Sequence, residues 1–442
     1  MQPQGNAEML AVEQARQAIL TALAPLGSER VPLARACGRW LAAPVRARED
    51  GPAEVRSQMD GYAVRHAEVS AATASRPVEL AVAFAVAAGA PPPAPLPPGA
   101  AARVLTGAPL PPGADAVVPQ EWTLPLEPAP AAAGGPACPQ RIRILQPPPG
   151  PGAFVRPRAE DFAAGETVLQ PGIRLGPGEV ALAAAAGAVE LEVGRRPRVA
   201  LLATGSELLP PGAAWRPGAV RESNRFLLEG MLARAGAEVE DFGIVPDEPA
   251  AVRAGLVAAL AAADLVLSTG GVSVGSTDFV KAEAEALGLV RRFWRVRVRP
   301  GKPLYFAVPP GGPSGAGRRA ALLGLPGNPA SVLVSLVLFA LPAVAWLQGA
   351  REPAPRRTSA VLAAPAHAPA GRRTYLRARA WLDGAGRLCA QPLARQASGS
   401  VRAVAETNAL LEIGEQGGQY QAGASLPALL LEQGGLLLGP ER

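Results

Sequence analysis

The amino-acid sequence predicts a multi-domain α/β protein built round a central, doubly wound and mostly parallel sheet. Three observations predict it. Between residues 195 and 347, apolar runs suited to buried strands alternate with helical stretches. Hydrophobic residues make up 49% of the 442, enough to bury real cores. The flanking regions differ in texture, and a chain of this length is expected to form roughly two to four domains.

Residues 8–24 carry few helix breakers and predict a helix. From 45 to 155 the chain is rich in proline and short apolar runs, as at 78–86 and 103–105, which predicts a β-rich inserted module. The proline-rich pieces 91–98 and 125–139 predict loops. Residues 160–192 are alanine-rich and read as helical. In the central section, strands are expected at 199–203, 239–245, 265–268, 293–298, 304–308 and 321–325. Helices are expected at 224–235, 250–262 and through Lys281. The apolar stretch 331–347 comes directly after a Pro-Gly-Asn-Pro turn and contains Pro342; it is short for a membrane span and predicts a buried helix. Runs at 375–382, 388–392 and 409–413, separated by glycines, predict a small C-terminal β domain. The expected domains are 1–45 with 156–194 as a discontinuous helical and linker domain, 46–155 inserted, 195–350 α/β and 355–442 β.

Lysine and arginine total 43 against 37 acids, a net charge of +6, and only Lys281 and Lys302 are lysines. The basic residues are scattered and aromatics are 4%, so no stacking platform or basic stripe points to nucleic acid. The balance suits a small anionic substrate. Cys37, Cys138 and Cys389 are far apart and odd in number, and His66 and His367 lie in different regions. A disulfide framework, a zinc site or a Ser-His-Asp triad is therefore poorly supplied. Any metal is expected to be a hard cation on carboxylates. No basic segment with an apolar core behind it opens the chain, so a cytoplasmic location without a membrane anchor is expected.

Three predicted strands end in loops of one style. The first leads into Thr204-Gly205-Ser206-Glu207, the second into Thr269-Gly270-Gly271-Val272-Ser273-Val274-Gly275, and the third into Pro326-Gly327-Asn328-Pro329. In a parallel sheet such loops share the carboxyl edge, where glycines let a phosphate approach backbone N–H groups. Ordinary turn chemistry is the competing explanation for any single loop. Acids gather on the same edge: Glu207, Asp247 and Asp278. Carboxylates beside a phosphate cradle suit a bridging Mg²⁺, although Asp247, ahead of Glu248 and Pro249, also suits a helix cap. Arg295, Arg297 and Arg299 alternate along an expected strand and would share one face, with Lys302 next in Pro300-Gly301-Lys302-Pro303. In the β-rich module, Asp60 stands in a glycine turn and Thr106-Gly107-Ala108-Pro109 comes after a short apolar run.

In order and spacing these motifs resemble the molybdopterin molybdenumtransferase family, to which the gephyrin E domain belongs. The resemblance runs through Met59-Asp60-Gly61-Tyr62-Ala63-Val64-Arg65, Thr106 to Pro109, Arg156 with Glu160-Asp161, Thr204 to Leu208, Ser223-Asn224, Gly270 to Gly275 with Asp278, and Pro300 to Pro303. Pro326 to Pro329 and the serine turn Ser398-Gly399-Ser400 complete it. It implies insertion of molybdenum from molybdate into adenylylated molybdopterin with release of AMP and assistance by Mg²⁺. It also implies elongated homodimers, with an active site between the sheet domain of one subunit and the β-rich domain of the other, and a molybdopterin adenylyltransferase as a possible partner. On that reading Thr204, Gly205, Gly270, Gly271 and Ser273 cradle phosphate, with Thr106, Gly107, Pro326, Asn328, Pro329 and Ser400 as further substrate contacts. Arg295, Arg299 and Lys302 hold anion charge. Glu207, Asp247, Asp278 and Asp161 position Mg²⁺ or water, Glu207 and Asp278 being the metal ligands, and Asp60 acts across the dimer cleft. Positioning and charge compensation would dominate the catalysis.

Some positions depart from the family pattern. Arg295 and Arg299 stand where lysine is usual, which keeps the charge but removes a proton carrier. Ser206 stands for the usual Asp and Ala159 for the usual Gly. Two other functions are weighed against molybdenum insertion: a molybdopterin adenylyltransferase, which predicts one small domain or two copies of the Gly-Gly-Val-Ser motif, and a non-catalytic scaffold of the same fold.

Overall fold

The computed structural model describes residues 9–127, 138–272, 278–312 and 320–431. Its centre is a six-stranded sheet in the order Glu238–Val245, Arg198–Thr204, Leu265–Thr269, Ala321–Leu325, Tyr305–Val308, Val290–Trp294. The first four strands are parallel; the last two are added antiparallel. Alternation along the strands builds two cores. Val199, Leu201, Leu265, Leu267 and Leu323 face one layer, while Ala200, Leu202, Val266 and Leu322 face the other. Asn224–Arg234 and Pro329–Leu347 cover the first face, and Pro249–Ala262 with Phe279–Ala286 cover the second.

Pro329–Leu347 is apolar and long enough to cross a membrane, yet 83% of its most apolar window is buried inside the protein. Its ladder opens into a π turn over Leu336–Ala340 directly before Pro342. Proline lacks the N–H and crowds the carbonyl one turn back, and the wider turn absorbs both defects.

The helix expected at 8–24 forms at Val12–Ala22, but it does not group with 156–194. Its buried stripe, Val12, Ala15 and Ile19, joins the core of the sheet domain. Behind it, Ser28–Pro32 pairs with Glu190–Gly194, and Val45–Arg46 with Thr167–Leu169, around a core of Val31, Leu41, Leu175 and Val193. The helical reading of 160–192 holds only for Pro177–Ala185. Gly165 and the Pro171-Gly172 pair break the segment into short strands and turns, which alanine content alone does not reveal.

The inserted module is a six-stranded mixed sheet ordered Ala116–Pro119, Gly61–Val64, Ala100–Val104, Val78–Val86, Arg141–Ile144, Thr123–Glu127. That last strand occupies the start of the loop expected at 125–139, whose residues 128–137 lie outside the described residues. The C-terminal strands Arg373–Leu382, Leu388–Pro392, Thr358–Leu362, Ser425–Leu430 and Ala409–Ile413 close on themselves, because the last pairs back with the first. Closure removes free strand edges.

A second correction concerns the arginine row. The strand expected at 293–298 ends at Trp294, because Arg295 adopts φ +80° and turns the chain. Val298–Arg299 pairs instead with Arg373–Thr374 of the C-terminal barrel. The three arginines therefore do not share a strand face.

Candidate active site

Chain order places Arg198–Thr204 between strands that leave to opposite sides, so the crevice beyond its carboxyl end is the switch point of the sheet. A cleft of about 590 Å³ opens there. The three predicted loops do converge on it. Thr204, Gly205 and Glu207 come from the first, Gly270 and Gly271 from the second, and Pro326, Asn328 and Pro329 from the third, with Asp247 and Asp278 beside them.

Backbone bonds continue the sheet into these loops. Gly205 N donates to Val245 O at 3.2 Å and Gly270 N to Leu325 O at 3.1 Å. Gly271 sits at φ +64°, and a Cβ there would lie 2.5 Å from Val280 Cγ2 and 2.8 Å from Thr204 Oγ1. No other residue fits without displacing these neighbours.

Asp247 is not a helix cap. Glu248 precedes the helix, and the Asp247 carboxylate accepts from Ser206 N at 3.0 Å, while Asp247 N donates to Ser206 Oγ at 3.0 Å. The two strand-end loops are thereby tied together, and serine at 206 is what allows the second bond.

Other residues at the cleft had a motif but no assigned role, as Asn224 did, or were not marked by the sequence reading. Asn224 Nδ2 donates to Gly327 O at 2.7 Å and clips the third loop to the helix Asn224–Arg234. A buried Glu222–Arg225 pair at 3.1 Å, extended to Asp241, fixes the start of that helix. Arg221 also lines the cleft, and among the described lining residues it is the one cation; its Nη1 donates to Pro210 O at 3.3 Å. The Ser223-Asn224 motif marked this neighbourhood, but nothing in its spacing singled out Arg221.

The predicted cations lie elsewhere. Arg295 and Lys281 both sit on the Trp294 indole, 4.0 and 3.8 Å from its centroid, and Trp294 Nε1 donates to Val272 O at 2.9 Å. Lys281 is therefore part of the support for the Gly-Gly loop rather than a solvated residue. Its pKa is lowered, first by burial and also by nearby Arg295. Arg297 pairs with Glu415 at 3.0 Å. Arg299 lies close enough to Arg372 to lower the latter's pKa, after burial as the larger cause. Lys302 is exposed and does not line the cleft, although Pro303 does. Ser400 caps Val401–Glu406 by accepting from Ala403 N, whereas its neighbours Gly399 and Val401 reach the cleft. Ser273 lies outside the described residues.

Asp60, Thr106 and Gly107 form a separate cluster in the inserted module. Register brings Gly61 opposite Val104, so the Asp60 carboxylate accepts from Thr106 N at 2.7 Å and Thr106 Oγ1 at 2.8 Å. These bonds, the backbone one foremost, hold the Asp60 carboxyl below its usual range. Asp161 is engaged by Arg156, which also holds Glu160 at 2.7 Å. Neither Asp60 nor Asp161 lines the cleft formed within one chain.

Among the described residues, no three His, Cys, Asp or Glu side chains come close enough to hold a metal ion by themselves. Glu207 and Asp278 nevertheless share the cleft with Asp247. This donor set fits Mg²⁺ bound partly by substrate phosphate, because that ion commonly takes one or two carboxylates and completes its shell with phosphate and water.

Comparison with known proteins agrees with this architecture. The family described as MoeA N-terminal region (domain I and II) matches residues 10–187. A probable molybdopterin binding domain matches 200–346, and the MoeA C-terminal region (domain IV) matches 359–431. A molybdopterin molybdenumtransferase of Haemophilus influenzae is 32% identical over 95% of this chain and 98% of its own length. One from Nostoc sp. is 40% identical over 73% of this chain and 70% of its own. The crystal structure of a molybdopterin biosynthesis MoeA protein from Pyrococcus horikoshii matches with a TM-score of 0.77 and 27% identity, covering 96% of this chain and all of that one.

Proposed function

This chain belongs to the MoeA family of molybdopterin molybdenumtransferases, and on that premise we propose that it inserts molybdenum from molybdate into adenylylated molybdopterin and releases AMP. The observation that carries the reading is the cleft at the switch point, where a positive-φ glycine pair faces three carboxylates. Gly270 and Gly271 allow close approach of the adenylate phosphate to backbone N–H groups. Arg221, the one cation among the described lining residues, supplies positive charge at the cleft. Asn224, the Ser206–Asp247 bonds and the Gly270 N to Leu325 O bond hold these loops in place, so little reorganisation is needed when charge develops.

Three carboxylates against one arginine would repel an anionic substrate. Mg²⁺, when bound with that substrate at Glu207 and Asp278, would neutralise charge on the phosphate. The reading also includes a homodimer in which Asp60 and Thr106 of one subunit face the cleft of the other. Its support is that the ionised, solvent-facing Asp60 lies outside the cleft of its own chain. Three unpaired cysteines suit a reducing, cytoplasmic location.

The test is incubation of the purified protein with adenylylated molybdopterin, Mg²⁺ and molybdate. AMP release is expected to require molybdate and to stop when EDTA removes the metal. Molybdate-independent release, or none, would sink the assignment.

A further inference from the structure

Arg377 is fully buried in the barrel strand Arg373–Leu382, at 0% exposure. No carboxylate pairs with it among the described residues; its Nε and Nη1 find no acceptor, and burial alone pushes its pKa down. A buried, unpaired guanidinium costs several kcal/mol, and an apolar side chain of similar volume would fill the site more cheaply. Stability therefore does not explain this arginine.

Its remaining bonds do. Nη2 donates to Arg395 O at 3.0 Å and to Ala397 O at 3.1 Å. The backbone N of Arg377 donates to Gln396 Oε1 at 3.1 Å, and Gln396 Nε2 returns bonds to Arg377 O and Leu393 O, each 2.8 Å. Residues 393–397 have no strand or helix of their own; beside the backbone bond from Leu393 N to Arg377 O at 2.9 Å, this double clamp holds them to the barrel. The segment runs straight into the Ser398–Ser400 turn. Ser398 O accepts from Ala330 N at 3.0 Å, at the start of the helix after Asn328, and Gly399 and Val401 line the cleft. The clamp thus reaches the cleft through two residues of chain.

We propose that Arg377, with Gln396, is a positioning residue that seats the 398–401 turn against the Asn328–Pro329 corner and so fixes the barrel's wall of the substrate cleft. This rests on the cleft being the substrate site proposed above. The planar guanidinium reaches two carbonyls from one nitrogen at a fixed orientation, which an ammonium on a flexible stem does not reproduce.

Arg377→Met, Arg377→Lys and Gln396→Ala in the full-length chain test it. Arg377→Met is expected to raise KM for adenylylated molybdopterin about tenfold, with kcat within about threefold and Tm not lowered. Arg377→Lys keeps a charge but loses the fixed orientation of the guanidinium nitrogen, so its KM should stay raised; Gln396→Ala should raise KM in the same direction through the other arm. Unchanged KM in all three, or kcat falling with the folded fraction at constant KM, would overturn the proposal. So would recovery of the wild-type KM by Arg377→Lys, which would make charge rather than seating the reason. If the unaltered protein shows no molybdate-dependent AMP release, the function fails first. Calorimetric titration with AMP then judges the clamp alone: about tenfold weaker binding in Arg377→Met supports it, and equal affinity removes it.

Discussion

Asp60 is held by two donors from a single threonine, and this gives its charge a defined test. Its folded pKa lies below the unfolded value, so its contribution to stability is present above the ordinary carboxylate range near 3.9 and is lost as pH falls through the lowered folded value. Thr106→Val removes one donor, and the carboxyl titration monitored by carbon-13 NMR should move up toward the ordinary value. Asp60→Asn keeps an oxygen to accept both bonds but removes the charge. Turnover is expected to fall by about a hundredfold or more while the assembly persists; a fully active variant would remove Asp60 from the mechanism. The cations carry a second residue-scale expectation. Arg221 lines the cleft and Lys302 does not, so Arg221→Ala should weaken AMP binding about tenfold and Lys302→Ala by less than about twofold. The reverse order would return Lys302 to the anion site.

Among the elements, the Gly270–Gly271 turn is the least tolerant of change. Gly271→Ala would place a methyl 2.5 Å from Val280 in a left-handed conformation. A loss of about 2 kcal/mol is expected in urea unfolding, with AMP affinity falling as the loop shifts; unchanged stability and affinity would mean the loop tolerates a side chain. The turn was legible in the sequence because buried parallel strands read as unbroken apolar runs, and the residues after each run must form its carboxyl-end loop. Other features were not. The arginine alternation at 295–299 implied a strand face, but a positive φ at Arg295 leaves no trace in a period-two pattern. The Trp294 stack joins residues 281, 294 and 295 with Val272 through tertiary contacts. Spacing could not reveal that Asp60 meets Thr106, since strand register decides it, nor that Ser400 caps a helix while its neighbours line the cleft.

Over the whole molecule, the cleft and the Asp60 cluster belong to different domains of one chain, which makes a shared site testable by mixing. If the chain forms the proposed homodimer, Asp60→Asn and Glu207→Gln chains should each be inactive alone. Exchanged subunits would give heterodimers with one intact site, so about a quarter of the wild-type activity should return. No recovery from mixtures in which dimers have exchanged would end the shared-site reading. The chain also ties residues 13–26 to residues 346–373. Glu13 bonds Arg357 at 3.0 Å and also holds Arg373, Trp346 Nε1 donates to Leu23 O at 3.0 Å, and Leu26 N donates to Leu347 O at 2.9 Å. During synthesis this arrangement means waiting. The stripe Val12, Ala15 and Ile19 leaves the ribosome ahead of the helix Pro329–Leu347 that covers it, by on the order of tens of seconds. Until then this apolar stripe lacks the helix that covers it, and chaperone contacts at residues 12–23 should persist until the chain passes residue 347.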